Sequence, residues 1–377
     1  MRFLQADYLF PIYLPPIKNG VLQINLDGMV IAIHEENTLS GVDIEKFSGI
    51  LCPGFINAHC HLELSHLFNC ISPNLGLINF IKKISGRSKT SQSIIANKII
   101  DAENQMIKNG IVGVGDICNT NDTLFIKKDK NIAYYNFIET FQVHEKKFEN
   151  TINNSVKIRN QFRFHNLKAT IVPHSPYSVP PALMKIIYEL IDDSSDVISI
   201  HNQETKDENI MFHSKDGEII KWLLSLGAST TIWENISQSK DVLLNISSQK
   251  HLLVHNTFMS KDDLMDVYYC TCPKANIYIE GTTPDYSFFN LEKLCVGTDS
   301  LASNSSLSII EELFCIQENS DFDLNSLLKI GSKNGADCLG FTSLGTFENG
   351  KVPGINLLQN IDFNMKITTE TTVKRII

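Results

Sequence analysis

The stretch Cys52-Pro-Gly-Phe-Ile-Asn-Ala-His59-Cys60-His61-Leu-Glu63 decides how the chain is read. An apolar run ends in two histidines separated by one cysteine. In a strand, side chains alternate with period two, so His59 and His61 project to one side while Cys60 points to the other. Two imidazoles on one face at the end of a buried strand make half of a metal site, because neutral imidazole nitrogen suits Zn, Fe and similar ions. Taken alone, the pair reads more simply as two satisfied core or surface histidines. Support for the metal reading lies further along, where His201 with Glu204, His255, and Asp299 each stand at the end of an apolar run.

Working outward, eight β-rich apolar runs can be marked: Gly54 to His61, Val112 to Asp116, Ile132 to Glu139, Leu167 to His174, Val197 to His201, Leu252 to His255, Val267 to Cys272, and Lys293 to Asp299. Their hydrophobicity is continuous rather than alternating, which suits parallel strands covered on both faces. The segments between them have room for helices, as from Ser93 to Lys108 before Asn109-Gly110. Strands alternating with helices eight times predict an α/β fold of the (β/α)8 TIM barrel type. A doubly wound open sheet is the alternative, but no Gly-rich phosphate loop follows any strand. In a barrel, functional groups sit at the carboxyl ends of the strands. His59, His61, His201, His255 and Asp299 all fall there, although each has a plain reading of its own as a packed histidine or, for Asp299, a helix cap.

The two chain ends differ from this middle. Val21-Leu-Gln-Ile-Asn-Leu and Met29-Val-Ile-Ala-Ile flank Asp27-Gly28 as a hairpin would. Near the other end, Lys351-Val, Ile355-Asn-Leu-Leu and Phe363-Asn-Met-Lys-Ile are separated by polar breaks. We expect residues 1–50 and 343–377 to form one small composite β-sandwich domain, and residues 51–342 the barrel.

Composition narrows the function classes. At 377 residues, one barrel plus a small appendage fits the length, and 43% apolar residues is ordinary for a globular protein. The net charge is −9, with both signs interspersed and no basic patch, so nucleic acid is not expected as a partner. Nine cysteines lie mostly inside apolar segments, for example Cys118, Cys270, Cys272 and Cys295. They read as small buried hydrophobes in a reducing compartment. No uncharged run approaches the roughly 18 residues of a membrane span, and Asp7 and Pro11 interrupt the start without a cleavage signature. A cytoplasmic protein without membrane partners is expected. The pattern His61-Leu-Glu63 imitates half of the zinc signature of cytidine deaminases, but Cys270-Thr-Cys272-Pro273 lacks the spacing of the other half.

The set Pro53-Gly-Phe-Ile-Asn-Ala-His-Cys-His61, Ile200-His-Asn-Gln-Glu204, Val254-His-Asn256 and Gly297-Thr-Asp-Ser-Leu-Ala-Ser-Asn304 resembles the amidohydrolase superfamily, in its branch of purine and pyrimidine deaminases and chlorohydrolases. The resemblance covers nearly the whole chain. It implies that His59, His61, His201 and Asp299 hold one divalent metal ion, Zn or Fe, with Glu204 and His255 as acid–base partners. Asp299 would be ligand and base together, and Glu204 would protonate a ring nitrogen of the substrate. Binuclear members carry a lysine at the end of strand four, whereas this strand ends Val172-Pro-His174 and Lys168 stands too early, so one metal is expected. Gly350-Lys-Val-Pro-Gly-Ile departs from the usual superfamily pattern, in the β-domain rather than the site.

Within the branch, His59-Cys-His-Leu-Glu-Leu-Ser65, Cys272-Pro-Lys-Ala-Asn276 with Tyr278-Ile-Glu280, and the Gly297 to Asn304 segment are similar to aminofutalosine deaminases of the alternative menaquinone route. Deaminases of methylthioadenosine and S-adenosylhomocysteine are the alternative, with other enzymes acting on aminated or chlorinated N-heterocycles, and a scaffold without catalysis is the remote one. The implied partner is a small adenine nucleoside. His174, Glu63 and Ser300 are candidate substrate contacts. Arg87, after Phe80-Ile-Lys-Lys-Ile-Ser-Gly86, is a candidate for a distal carboxylate, since a guanidinium matches one bidentately; its plain reading is a solvated arginine near a helix end. The oligomeric state is left open, a homodimer included.

Overall fold

In the computed structural model, which describes residues 1–35, 38–84, 90–191, 193–243 and 250–377, eight parallel strands follow the apolar runs. They are β1 (Phe55–Cys60), β2 (Ile111–Cys118), β3 (Ala133–Thr140), β4 (Lys168–Pro173), β5 (Val197–Asn202), β6 (Lys250–His255), β7 (Tyr268–Thr271) and β8 (Leu294–Val296). Neighbours pair in parallel through β1 to β4 and again through β5 to β8, giving two four-stranded sheets. Two seams join them into the (β/α)8 barrel. At one, the His201 N–H donates to the His174 carbonyl at 2.8 Å. At the other, the N–H groups of Thr298 and Asp299 both donate to the His59 carbonyl at 3.1 Å, and Cys60 bridges Asp299.

That second seam explains a glycine. A Cβ on Gly297 would stand 2.6 Å from the His59 carbonyl oxygen and 2.8 Å from its nitrogen, so only glycine lets β8 approach β1 this closely. Pairing of β1 with β2 also slips between Asn57 and Cys60, so that one extra residue of β1 faces β2. Bulges of this kind turn a strand and re-aim its side chains.

Helices cover the strands unevenly. Gln92–Lys108, Phe148–Phe164 and Pro181–Glu189 follow β1, β3 and β4, each with a buried apolar stripe. Between β2 and β3 there is one helical turn, Leu124–Lys127, and between β6 and β7 only the 3-10 turn Lys261–Asp263. The strict eightfold alternation expected from the sequence is therefore incomplete. Among the described residues, no helix is long and apolar enough to cross a membrane.

The chain ends meet in two further sheets. One orders Val30–His34, Val21–Ile24, Arg2–Gln5 and Glu45–Lys46; the other orders Thr372–Arg375, Ile355–Gln359, Ile50–Pro53, Tyr8–Leu9 and Ile17–Lys18. Ile355–Gln359 runs antiparallel to Ile50–Pro53, which stitches both termini beneath the first barrel strand. Leu4, Leu9, Leu22, Leu51, Ile355 and Leu357 share one apolar core between the sheets. The hairpin at Asp27-Gly28 forms, with Gly28 at φ +81°. Phe363 to Ile367, read from sequence as strand-like, is instead a turn. The Asp362 carboxylate accepts the N–H groups of Asn364 and Lys366, Met365 adopts φ +58°, and Phe363 is exposed. Side-chain capping of the backbone outcompeted the ladder there. Of the nine cysteines, Cys70 is exposed and Cys315 half-buried, while the rest are buried free thiols.

Glu312, on the helix Ile309–Glu318, secures the segment after β8. It is fully buried, accepts from Asn304 Nδ2 at 2.7 Å and from the Lys274 N–H at 2.9 Å, and Asn304 in turn donates to the Thr298 carbonyl. Burial pushes its carboxyl up to about 8, against about 4.3 in an unfolded chain. A raised carboxyl contributes stability that is fully present below the unfolded value and is lost as pH rises through the folded one. Glu312→Gln is therefore expected to gain on the wild type, in urea midpoint, as the pH rises from about 5 to about 9. A gap between the two proteins that stays constant over that range contradicts this role.

Candidate metal and acid–base site

The carboxyl ends of β1, β5, β6 and β8 bring four imidazoles and two carboxyls together. His59 Nε2 lies 3.1 Å from His61 Nε2, which lies 3.3 Å from His201 Nε2 and 3.3 Å from Asp299 Oδ1. Asp299 Oδ1 is 3.7 Å from His59 Nε2. Ligand atoms bound tetrahedrally at about 2.05 Å from a zinc ion stand about 3.3 Å apart, so these separations fit one shared centre. Hydrogen bonding alone leaves the cluster poorly satisfied. The Nδ1 of His201 faces the His174 carbonyl at 3.0 Å and so carries the proton, which leaves a bare lone pair on Nε2. A single proton on His61 Nε2 cannot serve both its imidazole neighbours. A cation at the centre relieves this repulsion, and the donor set of three imidazoles and one carboxylate suits a divalent transition ion.

Charge states point the same way. Burial lowers His59 and His201, and takes His61 down to about 4, so the rings are neutral and their lone pairs available near pH 7. For Asp299, burial alone would raise the carboxyl, but His59, His61 and His255 around it hold it below the usual carboxylate range. Ser303 Oγ donates to its second oxygen. Asp299 also sits at φ +55°, and Gln203, His255 and Asn256 nearby take φ values of +44°, +71° and +56°. Left-handed backbone at non-glycine residues costs on the order of 1–3 kcal/mol each and collects at functional rims.

Glu204 and His255 stand together beside this cluster. His255 Nδ1 bonds Asn276 Oδ1 at 2.8 Å, which turns Nε2 toward Glu204 Oε1 at 3.7 Å. Burial, with Asp299 and Glu280 adding repulsion, pushes Glu204 well above the usual carboxylate range. A carboxyl that stays protonated near neutral pH can donate a proton to a substrate.

The remaining sequence candidates fall in three groups. His174 lies at the end of β4, with its ring 4.8 Å from that of His201 and its Nδ1 bonded to the Ser175 and Ser178 hydroxyls at 3.0 and 2.7 Å. Burial lowers it to about 3, so it is a neutral ring. Glu63 and Ser300 are near the rim but bonded within it. Glu63 Oε2 accepts from the Thr120 N–H and hydroxyl at 3.0 and 2.7 Å, and Ser300 Oγ accepts from the Ala302 N–H at 3.2 Å. Arg87 lies outside the described residues.

Several residues at the site were not anticipated. Asn276 and Ser303 orient His255 and Asp299; both stood inside quoted motifs, but nothing in their type distinguished them. Glu139, at the end of β3, lies 3.3 Å from His201 Nδ1. Lys127 is fully buried against Asp116, with Asn136 Oδ1 at 2.6 Å and Cys118 Sγ at 3.3 Å. The other oxygen of Asp116 accepts the Leu62 N–H at 2.8 Å, so this ion pair braces the turn that carries His61. Breaking a buried pair of this kind costs about 3–5 kcal/mol.

The fold is a barrel whose mouth gathers three imidazoles and one carboxylate spaced as ligands of one metal ion would be. The chain belongs to the amidohydrolase family, whose model matches residues 50–374. That family is metal-dependent. A Helicobacter pylori relative named adenosine deaminase is 25% identical over 347 residues, covering 86% of this chain and 82% of the relative. An aminodeoxyfutalosine deaminase from a Nitratiruptor species is 24% identical, covering 86% and 80%. The crystal structure of Helicobacter pylori aminofutalosine deaminase with methylthio-coformycin superposes with a TM-score of 0.78 at 21% identity, over 100% of both chains, a likeness of fold.

His59→Ala and Asp299→Ala are each expected to lose bound metal and activity while keeping the wild-type far-ultraviolet dichroism, since the seam at β8 is made by backbone groups. Stoichiometric metal retained in both variants contradicts the assignment.

Proposed function

We propose that this chain is a hydrolytic deaminase of adenosine-type nucleosides, and that its substrate is 6-amino-6-deoxyfutalosine, converted to futalosine and ammonia. The observation that carries the reading is the placing of two carboxyls at one rim: Asp299 within the imidazole cluster, Oδ1 3.3 Å from His61 Nε2, and Glu204 beside it, Oε1 3.7 Å from His255 Nε2. Hydrolysis of a ring amidine needs both, an acid for the ring and a base for the water.

His59, His61, His201 and Asp299 would hold one divalent ion, Zn2+ or Fe2+. When bound, such an ion supplies acidity, lowering the pKa of water from about 15.7 toward about 7. Glu204 delivers its proton to N1 of the adenine ring, which makes C6 electrophilic. Asp299 takes a proton from the attacking water, whose oxygen forms the new bond to C6. His255 Nε2, aimed by Asn276, orients that oxygen and stabilises charge as it develops. The C6–N bond then breaks and the amino group leaves as ammonia, carrying the one proton collected by Asp299, while N1 keeps the proton it received and the C6 hydroxyl proton returns to Glu204. His174, a ring held by two serine hydroxyls, is our candidate for the ribose contact.

Substrate choice rests on the motif similarity to aminofutalosine deaminases. His174 packs against Phe141, 5.8 Å between rings. Residues just beyond it, Val143 to Phe148, line a cleft of about 780 Å3 with Pro180 and Ile232. Arg87 is our candidate for the carboxylate of a long 5′ substituent. We take residues 51–342 as the catalytic unit and residues 1–50 with 343–377 as the composite β-domain.

The test is ammonia release from aminodeoxyfutalosine, methylthioadenosine and S-adenosylhomocysteine, for wild type and Glu204→Gln. The wild type is expected to favour aminodeoxyfutalosine in kcat/KM. Glu204→Gln should keep its metal and lose about 10²–10⁴-fold in kcat, since the amide has no proton to give. Preference for methylthioadenosine or S-adenosylhomocysteine reassigns the substrate, and near-normal turnover of Glu204→Gln removes it as the acid.

A further inference from the structure

Glu139 ends β3 on the same rim, and nothing in the proposed reaction uses it. Its side chain is 4% exposed. One oxygen, Oε2, accepts from Asn119 Nδ2 at 2.9 Å. The other, Oε1, meets no donor in hydrogen-bond geometry and points at His201 Nδ1, 3.3 Å away. Its charged neighbours are the carboxyls of Glu63, Asp299 and Glu204. A buried carboxylate surrounded by its own kind is costly unless a cation offsets it. The His201 ring links Glu139 to the candidate metal centre, with Nδ1 3.3 Å from Glu139 Oε1 and Nε2 3.3 Å from His61 Nε2.

We propose that Glu139 is a positioning residue that acts through His201, fixing the ring and enriching its Nε2 lone pair toward a divalent cation. The Nδ1–H of His201 faces the His174 carbonyl at 3.0 Å, and Glu139 Oε1 stands 3.3 Å from the same nitrogen, near it but outside hydrogen-bond geometry. A carboxylate behind a ligating imidazole raises its basicity and locks its tautomer. Asn119 clamps the carboxylate from behind, and the adjacent Thr120 clamps Glu63, so one loop after β2 places two of the rim carboxylates. Glu139, His174 and His201 are close enough to suggest a separate metal group. A second ion would have to displace the proton that His201 gives to the His174 carbonyl, so we assign Glu139 to the outer shell of one centre.

The proposal rests on His201 being a ligand of that centre. The experiment measures zinc affinity by competition with a chromophoric chelator, the visible spectrum of the Co2+ form, and the melting temperature of the metal-free protein. Wild type, Glu139→Gln and Asn119→Ala are compared. Glu139→Gln turns an amide toward the Nδ1–H, so zinc affinity should fall about 10–100-fold, with a shifted Co2+ spectrum. Its metal-free melting temperature should hold or rise, because a buried charge is removed. Asn119→Ala should give a smaller change of the same sign and keeps the test alive if Glu139→Gln folds poorly. Unchanged zinc affinity and Co2+ spectrum in Glu139→Gln, with a raised KM or a lowered metal-free melting temperature, would overturn the role. A wild type that takes up no stoichiometric metal overturns the underlying metal reading instead.

Discussion

The structure depends on the seam where β8 closes on β1. One carbonyl, that of His59, accepts two successive N–H groups, from Thr298 and Asp299. The same residue offers its ring to the site, so the main chain that closes the barrel and the side chain that faces the metal centre cannot move independently. Gly297 permits the contact by having no Cβ. Asn57 secures it, donating to Thr298 Oγ1 at 2.7 Å and accepting from the Thr298 N–H at 3.0 Å. The slip in β1 pairing, between Asn57 and Cys60, lies in this same segment. A site assembled from both ends of a long barrel sequence thereby gains the rigidity of a strand pair.

Electrostatics then separates groups of the same type. Low dielectric favours neutral forms, and the rings of His59, His61, His174 and His201 follow that rule. Glu204 follows it too. Asp299 departs from it because three imidazoles surround it, and Asp116 shows the other solution, a full ion pair with Lys127. Two carboxyls on one rim are thus shifted in opposite directions, Asp299 down and Glu204 up.

The strands were legible because their hydrophobicity is continuous and each ends at a residue whose chemistry is conspicuous. His59, His61, His201, Glu204, His255 and Asp299 could be named from sequence since histidine and acid at strand ends are unusual in type and place. Glu139 also ended a marked run, but one carboxylate at a strand end carries no signal until the ring behind which it stands is located. Asn276 and Ser303 are invisible for a related reason: an amide or hydroxyl that orients a neighbour is identified only by geometry. The Phe363 to Ile367 segment misled because alternation was read without weighing Asp362, whose carboxylate satisfies the backbone locally.

The central claim is that four side chains from β1, β5 and the loop after β8 share one divalent ion. Anomalous-difference density from a crystal of the protein, collected on both sides of the zinc and iron absorption edges, tests it most directly. The account predicts one peak, at bonding distance from His59 Nε2, His61 Nε2, His201 Nε2 and Asp299 Oδ1. A peak elsewhere on the rim, or two peaks within about 4 Å of each other, would contradict it.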